Sequence, residues 1–392
     1  LKAVYFTELI ETYRGVLGLS NTSFFITSAG AVYAAGWNIY GALGLGDTTN
    51  RNVPTLIPTL SNVAAGSTGG FHTLFLTNTG TVYATGYNVY GQLGLDDITD
   101  RNVPTLLPNL TNIVAVSSGY HHSLFLTSTG AVYVAGYNGY GQLGVGDNAD
   151  RTVLTLITTL SNIVAISAGH LNSLFLTSTG AVYATGYNYY GQLGLGDTTN
   201  RNAPTLITTL TNIVAVSTGD YSLFLTSAGA VYGTGSNAYG DLGLGDNTDR
   251  NVPTLITTLT NIVAISNGYY HSLFLTNAGA LYAAGANYSG QLGLGDTTNR
   301  NAPTLVSGTY ARLDNRWLLP AKFVSVGWGT NSISYSYDGV NWTGLGSSIF
   351  TNGNGVAYSA QLGRWVAVGS GTTNSIAYST DGITWIGLGT SI

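Results

Sequence analysis

An aspartate and an arginine recur four residues apart, six times along the chain: Asp47/Arg51, Asp97/Arg101, Asp147/Arg151, Asp197/Arg201, Asp246/Arg250 and Asp296/Arg300. In a loop, a carboxylate at this spacing caps the N–H groups of a turn and bonds the guanidinium that follows it. The pairs read as structural latches, and they account for 12 of the 29 charges (12 basic, 17 acidic). Additional carboxylates stand beside some of them, at Asp96, Asp100, Asp150 and Asp249. Oxygen donors of that kind suit a weak calcium site, which ranks behind the latch. Three of the five histidines, His72, His122 and His271, share one slot of the repeated pattern, and Asn172 and Tyr221 fill the same slot elsewhere. Metal ligation needs three or four converging donors of suitable type, so this slot reads as a hydrogen-bonding position and no metal is expected.

An aromatic and amide pattern also recurs. One slot reads Trp37, Tyr87, Tyr137, Tyr187, Ser236 and Ala286, and a nearby slot reads Tyr40, Tyr90, Tyr140, Tyr190, Tyr239 and Ser289. Asn38, Asn88, Asn138, Asn188, Asn237 or Asn287 lies between them. Tyrosine and tryptophan give a large contact area at low entropic cost, so this rim is either packing between units or a surface for sugars or a protein. Trp37, Tyr87, Tyr137 and Tyr187 are the contact candidates. No catalytic constellation emerges. The only glutamates are Glu8 and Glu11, outside the repeats, and cysteine is absent. Paired facing carboxylates, a cysteine nucleophile and thiolate metal sites are therefore not in view, and no cofactor is expected. The glycine-rich Gly91-Gln92-Leu93-Gly94 leads into a strand rather than a helix, so it is a turn and not a phosphate cradle.

These residues are positioned by a repeat. The turn glycines Gly30, Gly80, Gly130, Gly180, Gly229 and Gly279 are spaced 50, 50, 50, 49 and 50 apart. Self-similarity at this period indicates a propeller or solenoid, because one unit cannot bury its own apolar face. In the third unit the alternation predicts strands at Ser123–Thr127, Ala131–Ala135, near Val153–Ile157 and at Ile163–Ser167. A proline opens the third of these in five units, which suits a peripheral strand and not a helix. The expected fold is all-β: a β-propeller of about seven blades of four antiparallel strands, six of them clearly specified.

The recurring combination is Gly, His-Ser-Leu-Phe-Leu, Gly-x-Val-Tyr, Gly-x-Asn-x-x-Gly-Gln-Leu-Gly-x-Gly-Asp, then Arg and Pro. It resembles the regulator of chromosome condensation repeat family across roughly residues 17–306. The resemblance implies a propeller, in a family that includes nuclear exchange factors, ubiquitin-ligase modules and secreted inhibitors. Ala or Thr stands where the nuclear members carry a tryptophan before Gly-x-Asn, which weighs against exchange activity. After residues 307–320, a connector, a different repeat fills 321–392. Ser336-Tyr337-Asp338-Gly339-Val340-Asn341-Trp342 returns as Ser379-Thr380-Asp381-Gly382-Ile383-Thr384-Trp385. This is similar to the Asp-box hairpin of sialidase-type propellers, with Ser336, Asp338, Trp342, Ser379, Asp381 and Trp385 as its marks. Such hairpins would complete the last blade of the 1–306 propeller or start a second. The wording of the tandem units resembles proteins encoded by giant DNA viruses.

Charged residues are only 7% of the chain and the net charge is −5. Nucleic acid is a poor partner for such a balance, and no apolar run is long enough for a membrane helix. A sparsely charged exterior favours lateral association. The expectation is a non-catalytic structural propeller on a virion, fibre or other extracellular surface, assembling with other subunits as a homo-oligomer or filament. The alternatives are a module that binds carbohydrate or a host protein through the aromatic rim, and a small-GTPase regulator.

Overall fold

The structure is a computed structural model. It describes residues 29–306 without a break, strands Tyr13–Leu17 and Thr22–Thr27 before them, and parts of 323–388. The chain divides into two compact units, Leu1–Tyr310 and Ala311–Ile392.

The first unit holds six antiparallel four-stranded sheets, here repeats 1 to 6. Repeat 3 shows the pattern, with strands Ile113–Ser118, His122–Thr127, Val132–Gly136 and Arg151–Leu156 paired in chain order. The second strand has the apolar-rich sequence that a fully buried strand requires, and its first five residues are buried. First strands of successive repeats touch one another and also pack on the second strand of the preceding repeat. They are therefore innermost, and the Pro-bearing fourth strands are outermost.

The sheet is out of phase with the unit as read from the sequence. Ile163–Ala168 does not close repeat 3 but opens repeat 4, pairing with Asn172–Thr177. The reason lies in the turn before it. Asn162 adopts a φ of 57° there, and Ile163 N donates across to Gly130 O of repeat 3 while its strand joins the next sheet. Repeats 1 to 5 are each hydrogen-bonded in this way to the first strand of their successor.

The core lies between repeats. Leu124, Leu126, Val132, Val134 and Leu143 of repeat 3 cluster with Ile157, Leu160, Ile163 and with Phe175 from repeat 4. Phe75, Phe125, Phe224 and Phe274 play the same part at the other junctions. The junctions are also tied at the periphery. Gly46 N donates to Asn102 O (2.8 Å), and Gly146, Gly196 and Gly245 repeat this bond. In repeat 2 the donor is Asp96, with φ 64°, bonded to Thr152 O at 3.0 Å. A positive φ disfavours every residue with a Cβ, and Asp96 is exposed. Asp96→Gly is expected to raise stability by about 0.5–1 kcal/mol, the strain relief exceeding the added freedom of the unfolded chain. A urea midpoint unchanged or lowered by this substitution would contradict the assignment of strain.

The second unit carries a three-stranded sheet (Phe323–Val326, Ile333–Ser336, Thr343–Gly344) and a four-stranded one (Asn352–Ser359, Arg364–Ser370, Ile376–Ser379, Ile386–Gly387). Trp385 packs with Ile333, Phe350, Ala367 and Ala377, and Ser379 is buried at a strand end. Asp338, Trp342, Asp381 and the side chain of Ser336 lie outside the described residues.

Candidate docking face

Each repeat folds the loop between its third and fourth strands around one buried asparagine. Asn88 is fully buried; its Nδ2 donates to Asp97 O and Oδ1 (3.0 Å each), and its Oδ1 accepts from Leu93 N (2.9 Å). Asn38, Asn138, Asn188, Asn237 and Asn287 make the corresponding bonds. These amides are the pivots of the turn, so of the two readings of the rim the asparagines take the packing one. A side chain whose polar atoms are all engaged inside the fold has none left to offer.

The aspartate beside the pivot forms the latch. Arg51, Arg101, Arg151, Arg201, Arg250 and Arg300 bond Asp47, Asp97, Asp147, Asp197, Asp246 and Asp296 at 2.5–2.6 Å. At Asp197 the Arg201 hydrogen bond, and then the Thr199 N–H, hold the carboxyl below its usual range. Three of the four carboxylates considered for calcium have another use. Asp100, Asp150 and Asp249 accept from the backbone N–H of Asn88, Asn138 and Asn237 at 2.7–2.8 Å. Among the described residues no group of three metal-ligating side chains occurs.

The histidine slot joins neighbouring repeats. His72 Nε2 lies 2.9 Å from Ser123 Oγ and His122 Nε2 lies 3.0 Å from Ser173 Oγ. In repeat 4, Asn172 donates to Thr218 Oγ1 (2.6 Å); in repeat 5, Tyr221 donates to His271 O (2.5 Å) and accepts from Ser272.

The aromatic slots form a continuous belt along repeats 1 to 4. Tyr40 packs on Tyr87 of the next repeat with ring centroids 4.8 Å apart; Tyr90–Tyr137 (5.0 Å) and Tyr140–Tyr187 (4.9 Å) repeat the step. Trp37, Tyr87, Tyr137 and Tyr187 are half-buried in this belt. Burial first, and neighbouring phenols second, push the hydroxyls of Tyr87, Tyr137 and Tyr187 upward, so they remain protonated donors. A second arc comes from the turns between first and second strands. Phe71 contacts Trp37, Tyr40, Tyr87 and Tyr120, His121 contacts Tyr90 and Tyr120, and Tyr120 contacts His170 (4.4 Å).

The sequence reading missed this second arc because its residue types change from repeat to repeat: Phe71, His121, Leu171 and Tyr270 occupy one position. It also missed the most exposed rings. Tyr189 is 66% exposed, Tyr288 58% and Tyr269 51%, against half-burial of the four candidates. The rings most available for contact are therefore Tyr189, Tyr190, Tyr269 and Tyr288, whereas Trp37, Tyr87, Tyr137 and Tyr187 are half-buried in the belt, Tyr187 packing on Tyr189 and Tyr190. Adjacent aromatic rings packed edge-to-face and left partly uncovered are the composition of a protein-docking patch.

The sequence pattern of the RCC1-like domain matches residues 111–334, and that of the regulator of chromosome condensation (RCC1) repeat matches 29–76 and 79–126. Among solved structures, human WBSCR16 is similar at 24% identity and a TM-score of 0.68, covering 75% of this chain and 81% of that one. Prp20p of Saccharomyces cerevisiae, described with its binding properties to Gsp1p and histones, is similar at 22% identity and the same TM-score, covering 75% of this chain and 77% of that one. The yeast RCC1 bound to Kap60 gives 22%, 0.68, and 75% of each chain. These likenesses establish the fold as an RCC1-like β-propeller built of four-stranded antiparallel sheets. With the domain pattern matched over more than half of its 392 residues, the chain belongs to the RCC1-like domain family.

Proposed function

We propose that the protein is a non-catalytic docking propeller that binds another protein across its aromatic face. The observation that carries this reading is the ring-to-ring belt, which ends in uncovered tyrosines on one side of the first unit. Tyr and Trp residues of this kind supply binding energy without needing an active site. The net charge of −5 and the tied arginines favour a basic partner.

One relative gives the reading a specific form. Prp20p is described as binding Gsp1p and histones. A regulator of a small GTPase, or a histone-binding module, is the corresponding form here. The self-assembling virion or extracellular role expected from the composition finds no support in the matched families and similar folds, and the docking reading takes its place.

Gsp1p and core histones serve as probes, immobilised separately and titrated with the full chain. Tyr189→Ala combined with Tyr190→Ala is expected to weaken the interaction by about tenfold or more while leaving the melting temperature within a few degrees. Release of a fluorescent GDP analogue from Gsp1p tests the regulator form directly. Failure of both probes to bind, or binding indifferent to the double substitution, would overturn the reading.

A further inference from the structure

Repeat 5 is one residue short, and the deletion changes the face. Its turn reads Gly219-Asp220-Tyr221 where repeat 3 reads Gly119-Tyr120-His121-His122. Asp220 O accepts from Ser236 N (3.2 Å), the bond that His121 O takes from Tyr137 N and Leu171 O from Tyr187 N (2.9 Å each). A carboxylate thus stands where other repeats carry Phe71, His121, Leu171 and Tyr270. The belt is interrupted at the same place, because Ser236 and Ala286 replace its half-buried rings.

The second anomaly lies beneath. Asp241 occupies the position of Gln92, Gln142, Gln192 and Gln291. It is fully buried, and its Oδ1 has no hydrogen-bond partner, while Oδ2 accepts weakly from Tyr239 N (3.4 Å). That free oxygen is aimed at repeat 6: a Cβ on Gly285, next to Ala286, would sit 3.1 Å from it. A buried acceptor without a partner is costly, and a donor brought in as a docked protein seats beside Ala286 would relieve that cost.

The walls are aromatic. Asp220 Oδ1 lies 3.0 Å from His170 Nδ1. Tyr269 packs on Tyr270 (4.5 Å) and on His170 (5.9 Å), and Tyr270 packs on Tyr239 (5.1 Å). The six arginines of the repeats are all held in latches, and the only lysines of the chain are Lys2 and Lys322. Within the repeats, therefore, no arginine or lysine pairs with Asp220 or Asp241, and among the described residues His170 is the one basic side chain against Asp220.

We propose that the gap in the belt at repeats 5 and 6, with Asp220 on its wall and Asp241 at its floor, receives an arginine side chain of the docked protein. A planar guanidinium stacks on Tyr269 or Tyr270, forms a charge-assisted pair with Asp220 and presents a further N–H to Asp241 Oδ1. The proposal rests on the docking reading and names the chemistry of the partner's anchoring residue.

The probe is acetyl-Gly-Arg-Gly-amide, titrated into the full chain and followed by the imidazole C–H resonances of His170 and by tyrosine fluorescence. Saturable binding is expected for the arginine peptide and none for its glutamate counterpart. Asp220→Asn and, separately, Asp241→Gln are each expected to weaken it by about tenfold or more. Asp241→Gln installs the residue of four other repeats, so it keeps the fold even where Asp220→Asn disturbs it. Equal responses to the two peptides, or unchanged titration of both variants, would overturn the site. Because the peptide needs no partner protein, its failure alongside Tyr189-dependent binding of Gsp1p or histones removes this site and leaves the docking reading standing; the reverse outcome removes the docking reading alone.

Discussion

Asp241→Gln is expected to stabilise the first unit by roughly 2–4 kcal/mol at pH 8 and by nothing measurable near pH 4. Burial pushes the Asp241 carboxyl up to about 7 from an ordinary 3.8, and the carboxylates of Asp220 and Asp249 push the same way, against the N–H of Tyr239 and its own N–H. In the unfolded chain the group ionises near its ordinary value. Between these two points the folded state holds a proton that the unfolded state has lost. Stability therefore falls as pH rises through this window, and at pH 8 the full cost of a buried charge is present. Glutamine removes that cost and restores a bond seen elsewhere: Gln92, Gln142 and Gln192 each accept from a tyrosine N–H at 3.1 Å, and Gln291 from Ser289 N at 2.9 Å. The Nε2 groups of Gln92 and Gln142 are buried without a partner, which sets the lower end of the expected gain. Urea unfolding at pH 8 and pH 4 measures both ends. Equal stability of the two proteins at pH 8 would show that Asp241 carries no buried charge. The same substitution is expected to weaken arginine capture by about tenfold or more, so a gain in stability with a loss of binding would mark Asp241 as a residue kept for function at the expense of the fold.

Much of the fold was legible because the repeat states it six times. Alternation placed Ser123–Thr127 and Ala131–Ala135 within one residue of the strands His122–Thr127 and Val132–Gly136. The grouping of strands into sheets was not legible. Periodicity gives the length of a unit but not its phase, and only the register of Ile163–Ala168 with Asn172–Thr177 shows which sheet that strand joins. The spacing of Asp and Arg was enough to pair them, since residues four apart in a tight loop have few other choices. The part played by the asparagine between the aromatic slots stayed open for the opposite reason. Its twelve-residue reach to Asp100 or Asn50 closes a loop whose inside and outside no local pattern distinguishes. The docking face was half legible. Its constant rings stood out, but Tyr269, Asp220 and Asp241 are departures from the repeat, and a departure shows its meaning only when its neighbours in space are known. The single spacing of 49 was the sequence signal for that place.

The histidine slot makes the opposite demand on pH. His72 and His122 are fully buried, with Nε2 near a serine hydroxyl and Nδ1 without a partner. Burial lowers each to about 3 from an ordinary 6.5, with His121 adding to the shift at both. Below pH 6.5 the unfolded chain takes up a proton at each that the folded chain refuses, so stability falls as pH falls, by about 1.4 kcal/mol per pH unit per histidine down to the folded values. His121, lowered to about 4 by burial first and His170 second, acts in the same direction. Asp241 opposes them over pH 7 to 3.8, so the wild-type slope is partly cancelled. The clean test therefore uses Asp241→Gln as the background. There, stability is expected to drop by about 4–5 kcal/mol between pH 6.5 and pH 4.5 from His72 and His122 together. His72→Asn with His122→Asn, the residue that repeat 4 uses when Asn172 bonds Thr218, is expected to remove most of that drop. The cost is about 1 kcal/mol at pH 7 for each lost serine contact. The two pH–stability curves should then cross on the acid side of neutrality. Parallel curves would mean that the two imidazoles can take up protons in the folded state, and that the interface between repeats is wetter than its packing implies.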